Sequence, residues 1–201
     1  MLRRILSLAF ATALLAGPAL AQQPAMSVVR GTLAAVNGRD LTVDTQGGSS
    51  AKLALIDTSV LTGIAKITLA DIKPDAYVGV VSVPGTDGTE RAVSIHVFPP
   101  EQRGTGEGSR PWDKPGTTMT NAAVSQQVTA KDGEVLTLKY GADEKKVLVT
   151  PESSLVRFEP GATTAELKPG VKIIAFTNAT PDGVRQVRRV LIARGDFTPA
   201  L

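Results

Sequence analysis

Few side chains in this chain of 201 residues could support catalysis or bind a metal ion. The sequence contains no cysteine and a single histidine, His96. Thiol nucleophiles, cysteine-bound zinc and iron–sulfur clusters are therefore excluded, and a multi-histidine metal site or a histidine-based triad is hard to build. An enzyme with this composition would have to use carboxylates and hydroxyls alone. We therefore expect a protein that is not an enzyme and that needs no cofactor.

His96 is a weak candidate for a ligand-binding side chain. Side chains alternate between the two faces of a strand, and in the segment 89–98 one face carries the aliphatic residues Val93, Ile95 and Val97. His96 lies on the other face. We therefore expect it to point away from a barrel core and to have a structural or surface role. The alternative is a lone metal ligand assisted by Glu101 or Glu90.

Two short patterns resemble catalytic or phosphate-binding motifs but lack their structural context. The glycine-rich segment 104–108 would need a helix directly after it to bind phosphate, and Pro111 and Pro115 follow instead. Ser49 and Lys52 have the spacing of a serine–lysine motif that works on a helix, whereas this segment is typical of a turn that enters a strand. We interpret the first as a turn-rich connector and assign no chemistry to the second.

The last predicted strand is basic, with Arg185, Arg188, Arg189 and Arg194. Binding of single-stranded nucleic acid would also need aromatic side chains on which the bases stack, and few aromatic residues lie near this strand. We therefore expect no nucleic-acid partner. The carboxylates are scattered over turns, where solvation is the ordinary explanation, so we assign no metal site.

The first 21 residues have the order of a secretory signal peptide. Arg3 and Arg4 precede the apolar run 5–15, and Ala19 and Ala21 supply the small residues before a cleavage site. The run is shorter than the roughly 20 residues that span a membrane, and no other segment approaches that length. We expect cleavage before Gln22, a periplasmic location, and no membrane span in the mature protein.

The rest of the sequence repeats itself at an offset of about 95 residues. The segment 70–74 resembles 165–169, and Asn37-Gly38 corresponds to Asp132-Gly133. Asn-Gly and Asp-Gly are strong hairpin signals. The pattern predicts a first repeat at 28–98 and a second at 122–197, each with five or six short strands. The same offset places Arg188 at the position of Val93, which predicts a β-bulge or an ion pair at Arg188.

Short strands at regular spacing predict an all-β fold, with each repeat closed into a small antiparallel barrel. A unit of about 70 residues is only marginally stable by itself, so we expect the two barrels to pack together. A connector rich in proline and glycine, 99–121, joins them and contains Trp112, the only tryptophan. We expect Trp112 to dock between the barrels; the alternative is a mobile linker.

The chain resembles a family of exported proteins with OB-like repeats. The resemblance rests on the lysine–proline turns of both repeats, Ile72-Lys73-Pro74 and Leu167-Lys168-Pro169, and on four motifs in and next to the connector: His96-Val97-Phe98-Pro99-Pro100, the segment 103–108, Arg110-Pro111-Trp112-Asp113 and Met119-Thr120-Asn121. The family is alphaproteobacterial and of unknown function, and its members are sometimes labelled automatically as metal ABC transporter permeases. A permease needs several membrane helices, which conflicts with this sequence. The resemblance implies two tandem OB-like barrels and no catalytic residues.

Taken together, these features predict a soluble periplasmic protein that is not an enzyme and that binds an unknown protein or another envelope component. The connector supplies the candidate partner-binding residues Arg103, Arg110, Trp112 and Asp113. Function concentrates on loops that a rigid scaffold holds in place. The alternative is a periplasmic binding module for a small ligand or a metal ion.

Overall fold

The computed structural model describes residues 26–85, 88–180 and 184–200. The described chain is all-β, as predicted, with single 3₁₀ turns at Leu69–Asp71, Pro100–Gln102 and Thr164–Glu166. The strands are β1 (Met26–Asn37), β2 (Asp40–Thr45), β3 (Ser50–Lys66), β4 (Tyr77–Pro84), β5 (Glu90–Val97), β6 (Gly108–Pro111), β7 (Thr118–Ala130), β8 (Gly133–Tyr140), β9 (Asp143–Val149), β10 (Ser154–Glu159), β11 (Lys172–Ala179) and β12 (Arg185–Arg194).

The predicted signal peptide, 1–21, lies outside the described residues, and so do residues 86–87 and 181–183, where the sequence predicts turns. Within the described part of the chain, no helix has the length and apolar character needed to cross a membrane.

Five strands form a closed barrel in the order β1-β2-β3-β12-β11. The pairing of β3 with β12 is parallel, and the other pairings are antiparallel. Inward-facing aliphatic side chains fill this first barrel, among them Leu33, Leu41, Leu53 and Ile173, all about 1% exposed. Alternation of apolar and polar residues along these strands, such as Asp40–Thr45, explains why one face is buried.

A second ring has the same strand order, β7-β8-β9-β5-β4. Its closure is shorter, because β5 and β9 pair in parallel only at Glu90 with Val147 and at Arg91 with Leu148. Its own aliphatic cluster, which includes Val80, Ile95 and Leu136, is fully buried. The described chain therefore contains two rings of five strands, each around a separate core.

The rings do not correspond to the two sequence repeats. The first ring combines β1–β3 of the first repeat with β11 and β12 of the second, and the second ring combines β7–β9 with β4 and β5. The expectation that 28–98 and 122–197 each close into their own barrel is therefore not what the strand pairings show. Both repeats carry the same strand pattern, so the pattern cannot specify which copy of the last two strands completes which barrel.

The repeat itself is visible in the backbone at an offset of 95. The strands β4 and β11 begin 95 residues apart, and so do β5 and β12. Each repeat has a capping box before its last two strands, at Thr68 in the first and at Thr163 in the second. The following turn has a positive φ in both, 65° at Asp75 and 87° at Gly170.

The first hairpins depart from this offset. The two-residue turn after Asn37 is closed by the pair Asn37 and Asp40, whereas the turn before Gly133 is closed by Ala130 and Gly133. Asn37-Gly38 and Asp132-Gly133 therefore both lie at hairpin tips but not at equivalent positions, since the closing pairs are 93 residues apart. The single offset predicted for this turn was wrong by two residues.

The two repeats meet where β3 pairs with β10. Gly63 pairs with Glu159 and Ile64 pairs with Phe158 in an antiparallel arrangement. At the offset of 95, Gly63 corresponds to Phe158 and Ile64 corresponds to Glu159. Each of the two residues therefore pairs with the counterpart of its neighbour, so this pairing lies on the local two-fold axis that relates the repeats. The long strand β3, with 17 residues, runs from the first barrel to this contact.

A third buried cluster, here called the central cluster, lies between the rings and takes side chains from both. Its members are Ile64, Tyr77, Val81, Phe98, Met119, Val156, Phe158, Ile174 and Leu191. The two rings are thus joined by an apolar contact.

Candidate functional site

A groove of about 480 Å³ opens over the central cluster, between the two rings. This inter-barrel groove has aromatic walls from His96, Phe98, Trp112, Phe158 and Phe176, and cationic side chains from Arg110, Arg188 and Arg189. Its volume lies in the range that accommodates small organic ligands. A larger cavity of about 730 Å³ near the β9–β10 turn contains Phe197 as its one aromatic residue and no arginine. The inter-barrel groove is therefore the candidate site.

His96 lies on β5 with only 3% of its surface exposed. Its ring stacks on Phe158 at 4.6 Å between centroids and meets the edge of Phe98 at 4.9 Å. The prediction that His96 points away from the barrel core is confirmed, because it packs in the space between the barrels. The surface role is wrong, because docking of the two barrels buries this outer face.

Burial lowers the pKa of His96 to about 3, and the positive charges of Arg189 and Arg110 act in the same direction. The imidazole is therefore neutral at physiological pH. Its Nδ1 is buried and has no hydrogen-bond partner within the described residues. A neutral imidazole at this position can donate or accept one hydrogen bond but cannot serve as a cation.

A β-bulge changes which residues of β5 face the barrel core. The register against β4 shifts so that Val81 pairs with Ser94 and Ser82 pairs with Ala92. Ala92 consequently faces the core of the second ring, and Val93 packs against the central cluster. The predicted grouping of Val93 with Ile95 on the core face was wrong, because the extra residue of a bulge reverses the alternation.

The same bulge occurs in β12, where Phe176 pairs with Arg189 and Thr177 pairs with Val187. Arg188 is the residue left out of the pairing, so the β-bulge predicted at this position is confirmed. The bulge leaves Arg188 exposed and places it in the lining of the groove.

The floor of the groove has a polar row across three strands. Gly79 of β4 pairs with His96 on one side and with Asn121 of β7 on the other. A Cβ at Gly79 would lie 2.0 Å from His96 Nε2 and 2.8 Å from Asn121 Oδ1, so glycine is required for the two side chains to pack here. Asn121 Nδ2 donates to the carbonyl of Thr105 at 3.0 Å, whereas Asn121 Oδ1 is buried without a partner in the described chain.

Two of the four connector candidates line the groove. Trp112 is partly buried, packs against the central cluster and lies 6.3 Å from Phe176 between ring centroids. The guanidinium of Arg110 lies 5.9 Å from the Trp112 ring centre and donates to the carbonyl of Gly106 at 2.9 Å. Trp112 Nε1 is buried and has no acceptor among the described residues.

The other two candidates tie the connector to the barrels. Arg103 donates to the carbonyl and the carboxylate of Asp75, at 2.7 and 2.8 Å, next to the second ring. Asp113 pairs with Arg30 of β1, in the first ring, at 2.8 Å. Arg103 and Asp113 therefore hold the connector in place, and they do not line the groove.

Sequence reasoning missed Arg188, Arg189 and Asn121 as site residues. Within the described chain, Arg188 and Arg189 have no acidic side chain within salt-bridge distance. The available signal was the comparison of the repeats, since residues at the equivalent positions, 93 and 94, are uncharged. That signal indicated a bulge at Arg188 but not a groove beside it.

Glu90 is not free to assist His96 as a metal ligand. Its carboxylate accepts hydrogen bonds from Ser82, from Thr118 at 3.1 Å, and from Lys145 at 2.8 Å. Burial raises the pKa of Glu90, but the hydrogen bonds from Lys145 and Ser82 outweigh burial and leave the pKa below its usual value. No group of three or more metal-ligating side chains occurs in the residues that the structure describes.

The geometry favours non-covalent binding of a molecule with an apolar body and a negative charge. Aromatic rings provide the contact area, and the guanidinium groups of Arg188 and Arg189 provide the charge. Comparisons with known proteins do not identify the ligand: no protein-family model, no curated protein and no solved structure matches this chain.

Proposed function

We propose that this protein is an exported binding protein, without enzymatic activity, that receives its ligand in the inter-barrel groove. The observation that carries the proposal is the coincidence, in one groove of about 480 Å³, of aromatic walls, two arginines without an acidic partner in the described chain, and buried polar atoms without hydrogen-bond partners among the described residues. Buried polar groups in proteins are normally hydrogen-bonded. A ligand that supplies the missing partners explains why these groups are retained.

Binding fits the groove better than catalysis does. General acid–base catalysis works best with a group whose pKa lies near the operating pH, whereas burial lowers the pKa of His96 to about 3. The remaining polar side chains of the lining are amides, hydroxyls and arginines, and no carboxylate is among them. These groups can orient and hold a ligand.

The groove volume favours a small ligand over a protein partner. Stable protein interfaces bury about 800 Å² on each partner, whereas a concave groove of about 480 Å³ has the size of a small-molecule site. Sequence analysis placed an envelope or protein partner first and a small ligand second. With the groove described, the small ligand is the better-supported proposal.

The proposal has two further parts, which are that the rings are OB-like barrels and that the protein is exported to the periplasm. In the first ring the first strand pairs with the second and fourth, and the third pairs with the fifth in parallel. The second ring has the same order when its strands are counted from β7, and this order supports OB-like barrels. The three-part order of residues 1–21 supports export to the periplasm. Intact mass of protein recovered from the periplasm tests the export, since we expect a chain that begins at Gln22. Full-length protein retained in the membrane would contradict it.

A pair of single-cysteine variants tests binding in the groove. The chain has no cysteine, so one introduced thiol can be labelled cleanly. Val60 lines the groove and is 48% exposed, whereas Val128 is 49% exposed and lies outside it. We would replace each by cysteine, attach an environment-sensitive fluorophore and add the small-molecule and macromolecular fractions of a periplasmic extract.

We expect the small-molecule fraction to change the emission of the label at Val60→Cys and to leave the Val128→Cys label unchanged. A response to the macromolecular fraction alone would favour a protein partner. Equal responses at both positions, or none at Val60→Cys with either fraction, would overturn the assignment of the groove as the binding site.

A further inference from the structure

We infer that the inter-barrel groove selects a flat aromatic carboxylate, with its ring against the aromatic walls and its carboxylate at Arg188 and Arg189. This inference rests on the proposed function and specifies the class of ligand. It follows from three independent features of the groove: the positions at which the two repeats differ, the arrangement of the rings, and the unneutralised charge.

The polar groups of the groove lie where the two repeats differ. At the offset of 95, His96 corresponds to Leu191, Arg188 to Val93 and Arg189 to Ser94. The strands that carry His96 and Leu191 begin at equivalent positions. The fold is therefore formed equally well with apolar or small side chains there, and it does not require the polar ones.

Connector residues add to this asymmetry. Arg110 and Trp112 belong to a segment, 99–121, that lies between the repeats. The groove is thus assembled from a diverged patch of the repeats and from a segment outside them. Such an arrangement is expected of a site that was added to a symmetric scaffold, and it points to a ligand rather than to stability.

Aromatic rings supply much of the apolar lining of the groove. His96 stacks on Phe158 with an interplanar angle of 19°, and Phe98 meets the edge of Phe158 at 5.2 Å between centroids. Trp112 and Phe176 form a second pair of rings in the lining, with 6.3 Å between centroids. Aromatic side chains in such offset and edge-on arrangements favour another ring over an extended alkyl chain.

The charge of the groove calls for an anion. Arg188 and Arg189 carry positive charge beside the aromatic walls, and no described carboxylate lies within salt-bridge distance of either. A planar guanidinium group binds a planar carboxylate through two parallel hydrogen bonds. A carboxylate bound there would also lie in a setting partly shielded from water, which strengthens the interaction.

The buried oxygen of Asn121 adds a preference within this class. Asn121 Oδ1 accepts no hydrogen bond from the described residues, although Asn121 is only 5% exposed. A hydroxyl on the ligand ring can donate to it. We therefore expect a hydroxylated aromatic carboxylate to bind more tightly than the same acid without the hydroxyl.

Calorimetric titration of the full mature chain tests this with three probes of one shape: 6-hydroxy-2-naphthoate, 2-naphthoate and the uncharged 6-hydroxy-2-naphthamide. We expect the hydroxy acid to bind most tightly and the amide at least tenfold more weakly than the hydroxy acid, since a hydrogen bond to a charged group contributes about 1.5–3 kcal/mol. Equal affinity for the amide and the hydroxy acid would overturn the inference that the groove recognises a carboxylate.

A matched pair of variants locates the charge. Arg188 and Arg91 are both exposed strand arginines, and only Arg188 lines the groove. We expect Arg188→Ala to weaken binding of the hydroxy acid about tenfold and to leave the amide unaffected, whereas Arg91→Ala changes neither. An unchanged affinity in Arg188→Ala would overturn the placement of the carboxylate.

The outcomes separate this inference from the proposed function. If none of the three probes binds while the label at Val60→Cys still responds to the small-molecule extract, the groove binds another class of ligand and only the aromatic carboxylate is wrong. If neither the probes nor the extract has an effect, the proposed function is also wrong.

Discussion

The two hairpins β4–β5 and β11–β12 have equivalent backbones and different buried faces. In the first, Gly79 and His96 pair across the strands and form part of the polar groove floor. In the second, Ile174 and Leu191 pair at the equivalent positions and belong to the central cluster. One backbone therefore supports either an apolar contact or a polar site, because only side-chain volume and hydrogen bonding differ between them.

The turns before these hairpins show the opposite behaviour. Asp75 and Gly170 both adopt a positive φ, although only one of them is glycine. Positive φ costs a non-glycine residue free energy, and the contact of Arg103 with the Asp75 carbonyl and carboxylate stabilises this turn. Backbone geometry is thus preserved between the repeats even where the residue is poorly suited to it, while the groove side chains differ.

The largest expected effect comes from adding a side chain at Gly79, which makes this position of the β4–β5 hairpin more like its counterpart in the β11–β12 hairpin. Gly79→Ala places a Cβ 2.0 Å from His96 Nε2, in a fully packed floor. We expect it to lower the free energy of unfolding by about 3 kcal/mol, the upper end of overpacking effects. Urea denaturation measures the change.

Gly47→Ala is the matched control, since the added Cβ would meet nothing closer than 3.9 Å. The variant Gly79→Ala/His96→Ala removes the larger clash and should recover part of the loss. A loss that is unchanged in the double variant would show that the space at Gly79 is not limited by His96.

Removing the indole of Trp112 breaks the contact between the connector and the central cluster. Trp112 packs against that cluster and against Phe176. We expect Trp112→Ala to lower the free energy of unfolding by about 3 kcal/mol, the lower end of the range for large aromatic truncations because the side chain is only partly buried. Chemical denaturation measures the loss.

Val128→Ala, at an exposed residue outside the central cluster, serves as the control and should change stability little. In the unaltered protein, Trp112 emission should be blue-shifted and shielded from iodide. A solvent-like emission maximum together with an unchanged melting temperature in Trp112→Ala would show that the connector does not pack there.

Acid should destabilise the protein through His96, and His96→Leu should remove this effect by making the first hairpin resemble the second. Burial lowers the pKa of His96 from 6.5 to about 3. The unfolded chain therefore binds a proton that the folded chain does not bind, and stability falls as the pH decreases from about 6.5 towards 3.

Between pH 7 and pH 5 this linkage amounts to about 2 kcal/mol. Denaturation at the two pH values measures it, and His96 is the only histidine in the chain. The same pH dependence in His96→Leu as in the unaltered protein would show that another group is responsible.

The smallest expected effect concerns an ion cluster present only in the second repeat. Arg194 donates to both oxygens of Glu166, at 2.9 and 3.0 Å, and to Glu159 at 2.9 Å. Hydrogen bonds from Arg194 lower the pKa of Glu166 and of Glu159, and burial opposes them only in part. The cluster therefore stabilises the fold above the unfolded pKa of about 4.5 and loses this contribution as the pH falls through the folded values.

Solvent screens this partly exposed cluster, so we expect Glu166→Gln to cost less than about 1 kcal/mol at pH 7. The difference from the unaltered protein should disappear at a pH below the folded values. Glu144→Gln, at an exposed strand position, is the control. A cost that persists in acid would assign the effect to packing rather than to charge.

Local chemistry in the sequence determined much of the fold. Alternating apolar residues predicted the strands, and the turn at Lys168-Pro169-Gly170 was predicted because proline and glycine suit its dihedral angles. The recurrence at 95 predicted that β4 and β5 would have counterparts in β11 and β12. It also predicted a β-bulge or an ion pair at Arg188, and the bulge is present there, as it is at the equivalent Val93.

Only the tertiary structure decided which strands close each barrel and what the outer face of β5 contacts. The two repeats have the same alternation of apolar and polar residues, so β5 and β12 are equally suitable partners for β3 by their sequence pattern. Pairing between distant segments of the chain determines that β12 is the partner. In the sequence, His96 lies on the outer face of its predicted strand, and Arg188 lies at a position that is apolar in the other repeat. One is buried and the other lines a groove because two barrels meet over them, and the distance between segments far apart in the chain cannot be read from the local order of residues.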